Sequence, residues 1–593
     1  MKTNVSRETI YYETEFCVIG GGLAGLSAAI AAARKGTKTI LVQDRPVLGG
    51  NASSEIRMWV RGAHGKNHME SGIVSELDLE NNHVNPYLNF SIWDSVLYGA
   101  ALREPNLTLL LNTTCLDAEV ENDVIQTVTC WQLTTYTFHT IRADVFADCS
   151  GDSVLAPLVG AKWTKGREAR AEYDESIAPV ETDLRTMGMS CLIQAREHSE
   201  KVKFVKPDWA YTYETDEALP HRGHSMKDKY NNFWWLELGG ENDSIKDTEK
   251  LREELLKVAL GVWDHIKNRG DHDADNWELE WIGFLPGKRE SCRYIGAHVL
   301  NQNDVEAGGK FEDIAAYGGW TMDDHNPSGF RHTGEPTIHH PAPSPFGIPY
   351  RSMYSVNIRN LLFAGRNISA THAALSATRV MATCAVIGQA VGNAAALCAK
   401  YNCKPSDVYA AHLAELQSEI QYDGCWLPGH VRKVDDCTLQ AKTNLTDEQR
   451  SVLFNGKERP DENDSVEYVS RETNEEILLE FAKPVSGIVR LILDPDYSRE
   501  SVSENGELRR YSMRSNMPLS FKPLKMPAHL AKKLKVTVVT TDGLEKVLYE
   551  AEENDKHLLF LPTGGEIKAV KAVFYGAWQS EVSNVYSFEV VEK

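Results

Sequence analysis

Six residues near the N-terminus, Gly20-Gly21-Gly22-Leu23-Ala24-Gly25, have the types and spacing to hold a phosphate. They fit G-x-G-x-x-G, in which one glycine permits a tight turn, another lets the backbone approach a pyrophosphate, and the third lets the following helix pack closely. The motif alone is a weak signal, and its setting is what makes it chemical. An apolar run, Phe16 to Ile19, precedes it, and Leu23, Leu26, Ile30 and Ala33 follow at helical spacing. The turn therefore opens a helix whose first amides can donate to an anion. A dinucleotide ribose is expected to meet an acid about 20 residues further on. That place holds Gln43, with Asp44 next; the amide of the first or the carboxylate of the second can bond a hydroxyl.

Positioning these groups requires a scaffold, and a second apolar run, Thr39 to Val42, completes a strand-helix-strand unit. Further β-like runs follow at 107–112, 124–133 and 143–149, and a polar, charge-rich middle begins near Arg167. The middle carries one predicted helix, Asp247 to Lys267, and a glycine- and proline-rich stretch from Pro286 to Tyr350. Strand, turn and a long small-residue helix return over 360–400, followed by a helix at about 407–422. The first domain is thus expected to resume late in the chain. VRLIL, LKVTVVT, KVLYE, HLLFL, AVKAVFYG and NVYSFEVV then alternate as strands of a sandwich or jelly roll do. The expected fold is a Rossmann-like α/β domain with an insert, plus a C-terminal all-β sandwich. Its segments are 1–165 and 351–425 for the α/β domain, 166–350 for the inserted substrate or cap region, 426–442 for a linker, and 443–593 for the sandwich.

Composition excludes several classes. A net charge of −21 opposes attraction to nucleic acid or anionic lipid and points to a small-molecule partner. The first fourteen residues hold no apolar signal core, and the eleven cysteines include no C-x-x-C pair. Reduced thiols and a cytoplasmic place are expected. The stretch from Met381 to Ala399 has membrane-helix length, but Gln389, Asn393 and its many small residues predict a buried helix. The run Asp271 to Asp275, DHDAD, lacks the glycine and the distal glutamate of a calcium loop and is expected to be a solvated turn. His339-His340 and Asp323-Asp324-His325 carry metal-capable atoms without a ligand spacing, so no metal site is expected. No G-x-S-x-G elbow marks a hydrolase.

Two later segments separate flavin from nicotinamide. RPVLGGNASS, Arg45 to Ser54, resembles the second FAD contact of glutathione-reductase-like flavoproteins, and the stretch from Asn360 to Leu397 resembles their C-terminal FAD segment. With FADCSGDSVLAPLVGA, PGKRESCRYIGAHVLNQNDV and AYGGWTMDDHNPSG, the chain is similar to the bacterial FAD-dependent oxidoreductase domain family over roughly residues 15 to 425. The resemblance implies FAD, covalently or non-covalently held. Its contacts would come from Gly20, Gly22, Leu23, Ala24, Gly25, Gln43, Asp44, Arg45, Gly49, Gly50, Asn51, Ser53, Ser54, Cys115, Gly151, Asp152, Gly365 and Arg366. A helix starting near Val380 to Ala382 would offer amides and a positive dipole end to the reduced ring, with Met381 in its first turn and Arg379 adding charge. The region after about 443 resembles galactose-binding-like jelly rolls, where Trp578 either stacks on a sugar or fills the core.

The implied activity is hydride transfer between flavin N5 and a small polar substrate, with a sugar, polyol or related hydroxy compound preferred. His372 resembles the substrate-facing histidine of fumarate-reductase-like flavoproteins and is the first candidate for acid or base; the competing reading is a turn histidine. His64 either orients substrate, bears a covalent flavin link, or is a loop residue capped by Gly65. Arg57, Arg289 and Arg351 are candidates for fixing substrate, or else ion-pair residues. An unsaturated carboxylate is the alternative substrate. A non-redox carbohydrate-binding protein on a flavoprotein scaffold and a flavin monooxygenase are the other classes, and an oligomer is compatible with each.

Overall fold

The computed structural model describes residues 7–460, 467–505, 513 and 516–592. The chain divides into two compact units. One comprises Met1–Ala63, Asn89–Ile420 and Met513–Phe521, the other His64–Leu88, Gln421–Ser512 and Lys522–Lys593.

The first unit is built on β1 (Thr9–Ile19), α1 (Leu23–Arg34), β2 (Thr39–Val42), β3 (Leu107–Leu110), β4 (Thr113–Glu121), β5 (Val124–Gln132) and β6 (Thr137–Asp148). The sheet runs β3-β2-β1-β6-β5-β4, with the late strand Leu361–Phe363 beside the end of β6. Register explains where a site can form. Ile19 is level with Val42 and with Asp148, and Phe363 is level with Asp148, all in parallel pairs. The loops leaving these four strands therefore emerge together at one sheet edge, the crevice in which open α/β sheets bind ligands.

Small residues hold the helix layer against this edge. A Cβ on Gly388 would stand 2.0 Å from the carbonyl oxygen of Ala24, and one on Gly392 2.2 Å from that of Ala28. The helix Met381–Tyr401 can cross α1 this closely only because both faces are bare. It is long and apolar enough to span a membrane, yet 94% of its most apolar window is buried inside the protein. Within the inserted region, Leu251, Leu255, Val258, Val262 and Ile266 line one face of the helix Thr248–Asn268 and pack with Phe233, Trp235 and Trp277. This 3.6-residue stripe drives the helix against the rest of the insert.

The second unit is a sandwich of a five-stranded and a four-stranded antiparallel sheet. Its core includes Ile477, Leu479, Val489, Leu491, Val536, Val570 and Phe588. Two expected boundaries differ. The stretch 426–442 is not a linker: Val434 and Ala441 lie in the sandwich core, and Lys442–Thr443 pairs with the strand Glu476–Val485. Residues 64–88 join this unit because Leu79 packs into the same core and Ser75 Oγ lies 3.2 Å from His557 Nε2. Trp578 packs against that core, donates its indole N–H to the carbonyl of Asn554 at 2.8 Å, and is covered by Lys532 4.8 Å from its ring. Of its two readings, the structure favours the core one.

Candidate active site

The glycines of the first loop have different reasons to be glycine. At Gly20, with φ of 104°, a Cβ would stand 2.5 Å from the amide nitrogen of Ser150; at Gly25 it would stand 1.8 Å from the carbonyl oxygen of Gly20. Both serve packing. Gly22 has φ −63° and ψ 176°, which any residue adopts, and the nearest neighbour of a Cβ there is Gly50 Cα at 3.9 Å. Among the described residues nothing requires that position to be bare. The open face lies at the start of α1, which has no side-chain cap, so its first amides are offered to whatever occupies the space.

The other predicted cofactor residues close around this face. Gly49 donates its amide to the Gly21 carbonyl at 2.8 Å, a Cβ on Gly365 would lie 3.5 Å from Ala24 Cβ, and Gly151 abuts the Arg366 guanidinium. Asp152 ties the rim together, accepting from Arg366 Nη2 and Lys288 Nζ at 2.8 Å each and from Ser291 Oγ at 2.7 Å. Burial pushes its carboxyl up, but the two cations bring it down to about 2. The Nε of Arg366 is buried without a hydrogen-bond partner among the described residues. A cradle that a side chain at residue 22 would fill, amides at a helix start and a cation with an orphaned donor together fit the pyrophosphate of FAD.

Several expected contacts are used differently. Gln43 accepts from the Gly21 amide at 2.7 Å and donates to the Val47 carbonyl at 3.1 Å. It braces the turn, and the solvent-facing group of the pair is the Asp44 carboxylate, 61% exposed, with Arg45 3.7 Å away. Asn51 donates to the Lys288 carbonyl at 2.9 Å, Ser53 Oγ to the Gly50 carbonyl at 2.7 Å, and the Ser54 amide to Asp94 at 3.0 Å. Cys115 is buried opposite Cys130 on β4, two residues beyond Thr113, whose amide bonds the Gln43 carbonyl. Val380 caps the helix Met381–Tyr401, but the amide of Ala382 is taken by the carbonyl of Arg61 at 3.0 Å. One of the amides expected to be free at this end is thus spent within the chain. His64 belongs to the second unit.

A six-residue stretch, Lys288-Arg289-Glu290-Ser291-Cys292-Arg293, joins the cradle to a buried ionic cluster. Lys288 and Ser291 reach Asp152, whereas Glu290 lies 2.9 Å from Nδ1 of His372. On the other side of that ring, Nε2 is 3.1 Å from Asp324 Oδ1. Glu168 accepts from the His372 backbone amide at 2.8 Å, and Arg293 bonds both Glu168 and Glu290. A second chain runs from Arg379 to Asp323 at 3.1 Å, to His325 at 3.2 Å, to Glu237 at 2.7 Å and to Arg289 at 3.2 Å. His372 is therefore more than a turn histidine. Burial would lower its pKa, but the flanking Glu290 and Asp324 carboxylates raise it to about 10. It is an imidazolium at neutral pH with both N–H groups directed at carboxylates.

Glu290, Asp324, Glu237, Lys288 and Ser291 are the residues that the sequence did not single out for this site. The signal was present as charge density, since Lys288 to Arg293 and Asp323 to His325 each place several ionisable groups on short, otherwise buried strands and turns.

The cluster has a stability consequence with a definite sign. A histidine whose pKa rises from 6.5 to about 10 on folding contributes stability that is complete below 6.5 and is lost as pH climbs through about 10. Glu290 and Asp324, held below their ordinary range by His372 against the effect of burial, lose their contribution as pH falls through the acid range. The midpoint of thermal unfolding is expected to decline from neutrality to about pH 10. His372→Gln should lower stability at pH 7 by about 3–5 kcal/mol, the cost of breaking a buried ion pair, and flatten that alkaline decline. Parallel pH curves for the two proteins would refute the assignment.

The family model described as FAD dependent oxidoreductase matches residues 15–420, and the chain belongs to that family. No curated protein matches it. Among solved structures, the chain is similar to L-proline dehydrogenase from P. horikoshii at 18% identity, over 25% of this chain and 24% of that one, with a TM-score of 0.17. It thus spans about a quarter of the dehydrogenase chain. A geranylgeranyl bacteriochlorophyll reductase-like protein from Thermoplasma acidophilum is 11% identical over 70% of this chain and 86% of its own, with a TM-score of 0.33. The family 32 carbohydrate-binding module of Streptococcus pneumoniae EndoD is 12% identical over 26% of this chain and 93% of its own, with a TM-score of 0.18.

Proposed function

We propose that this member of the FAD dependent oxidoreductase family oxidises a small hydroxyl-bearing substrate, a sugar, polyol or related hydroxy compound, at the His372–Asp324 pair. FAD, when bound, supplies the acceptor for the hydride that leaves the substrate carbon. The chain's own task is then to orient the hydroxyl and remove one proton.

The observation that carries this reading is the pairing of the candidate arginines. Arg289 faces Glu237, Arg379 faces Asp323, and Arg351 makes two 3.0 Å bonds to Asp313. Arg57 donates to Gln194 and to the Ser54 carbonyl and lies 4.4 Å over Trp281. Arg289 Nη1 and Arg379 Nε keep no hydrogen-bond partner among the described residues, but the carboxylates of Glu237, Asp323 and Asp313 beside these arginines would repel a carboxylate substrate, whereas a neutral hydroxyl meets carboxylates ready to accept from it. Among those, Asp324 is the suitable base. Its side chain is 22% exposed against 7% for His372, and the imidazolium holds it ionised and oriented. The proton of the hydroxyl passes to Asp324, while His372 keeps its own. The net charge of −21 and eleven unbridged cysteines support a small-molecule enzyme of a reducing, cytoplasmic compartment.

Anaerobic addition of sugars, polyols and unsaturated dicarboxylates, one class at a time, tests the substrate. The flavin band is expected to bleach with a hydroxyl compound. Reoxidation of chemically reduced protein by an unsaturated dicarboxylate, with no bleaching by any hydroxyl class, would overturn the proposal in favour of a reductase.

A further inference from the structure

We propose that Asp216, His224, His265 and His272 form a zinc site that fastens an irregular part of the insert to the helix Thr248–Asn268. The four residues come from two stretches of the sequence about forty residues apart: a 3-10 turn (Asp216–Ala218) and the loop after it, then the buried face of that helix and the turn just beyond it. Their ligand atoms all lie within 4.8 Å of one another. Asp216 Oδ1 is 3.1 Å from His265 Nε2 and 3.5 Å from both His224 Nε2 and His272 Nε2. Zinc–ligand bonds of about 2.0–2.1 Å in a tetrahedron place ligand atoms about 3.3 Å apart, so these three spacings already match and the wider ones need only a modest contraction. The rings are splayed at 73°, 70° and 42°, as ligands converging on one point must be.

Hydrogen bonding behind the rings supplies an independent argument. His265 Nδ1 lies 2.9 Å from the Tyr213 carbonyl oxygen, and His224 Nδ1 2.5 Å from that of Arg222. A carbonyl only accepts, so each Nδ1 carries a proton, and Nε2 is the ring atom turned toward the Asp216 carboxylate, where a metal would take it. One divalent ion placed among them would meet all four groups at once. The backbone carbonyl behind a ligating histidine is also the usual outer support of a metal site. His272 Nε2 additionally lies 3.2 Å from the Arg269 carbonyl, the contact that an ion would replace.

Three imidazoles and a carboxylate, all from the chain, make a closed four-ligand set of atom types that zinc takes, with an entry path on the Asp216 side, 67% exposed, and His265 fully buried behind. Between Glu197 and Glu237 the only regular element is the turn holding Asp216. Metal binding would supply folding free energy where regular hydrogen bonding is sparse. DHDAD is then a solvated turn in its aspartates but not in His272.

The test uses full-length FAD-loaded protein, stripped with a chelator and equilibrated with zinc alone. About one zinc per chain is expected by mass spectrometry. His224→Ala and Asp216→Ala, both at partly exposed positions, should weaken competition against a chromophoric chelator by about tenfold or more, while flavin absorbance shows that each variant folds. Cobalt substituted for zinc should give the intense visible bands of a four-coordinate ion, and these should vanish in His224→Ala. Wild-type protein that takes up no stoichiometric zinc, variants that bind as wild type does, or a weak six-coordinate cobalt spectrum would each overturn the site.

Discussion

Gly22→Val is expected to produce a chain that folds and carries no FAD. The backbone at residue 22 is in an extended conformation open to valine, and the nearest neighbour of an added Cβ is 3.9 Å away. The loss inside the protein is thus limited to a poorer helix start, worth about 1 kcal/mol. The loss to the cofactor is much larger, because the branched side chain fills the face toward which the amides of α1 point. FAD affinity should fall by more than about 100-fold, removing at least the roughly 2.7 kcal/mol that ligand at that multiple of its dissociation constant contributes to stability. Purified protein should be colourless, with native circular dichroism and an unfolding midpoint close to that of the wild-type apoprotein and insensitive to added FAD. Gly25→Ala supplies the contrast. Its Cβ would meet the Gly20 carbonyl at 1.8 Å, so that variant is expected to lose folded yield as well as flavin. A yellow Gly22→Val protein would move the cofactor away from this turn.

The difference between Gly22 and Gly25 shows what the sequence could and could not convey. Strand, turn and helix around the motif were legible because local periodicity sets them: Thr39–Val42 was expected as a strand and is one, and the helix expected over 247–267 spans Thr248–Asn268. The late return of the α/β fold was legible in the small residues after Asn360, since a Cβ added at Gly388 would stand only 2.0 Å from the Ala24 carbonyl oxygen. Long-range pairing was not. Gln43 stood where a ribose contact was expected, and only the fold shows its amide spent on Gly21 and Val47. The segment 426–442 was expected as a connector between the last helix of the α/β domain and the sandwich strands, yet Val434 and Ala441 seat it in the sandwich. Glu290 and Asp324 escaped for the same reason. A carboxylate becomes a partner of His372 only when two segments 82 and 48 residues away are brought to its two ring nitrogens.

Those two carboxylates set the terms of the second large effect. Replacing His372 by Gln should slow anaerobic flavin reduction by about 10²–10⁴-fold, the range of a positioned acid–base group, with a much smaller change in FAD affinity. Asp324→Asn should do the same for a different reason, and pH separates the two. If Asp324 takes the proton, wild-type reduction needs only an ionised carboxylate whose pKa lies below its ordinary range, so the rate is level across neutral pH and falls only in acid. His372 then acts by charge and orientation, and its loss lets Asp324 turn and its pKa rise, moving the acid limb of the His372→Gln profile to higher pH. If the imidazole itself were the base, wild-type rate would instead climb about tenfold per pH unit toward the histidine pKa of about 10. A level neutral profile, an acid limb that shifts upward in His372→Gln and a rate lost in Asp324→Asn would assign the proton to the aspartate. A steep alkaline rise in the wild type would return it to the histidine, and the cation clamped between Glu290 and Asp324 would then be the resting form that must first lose its proton.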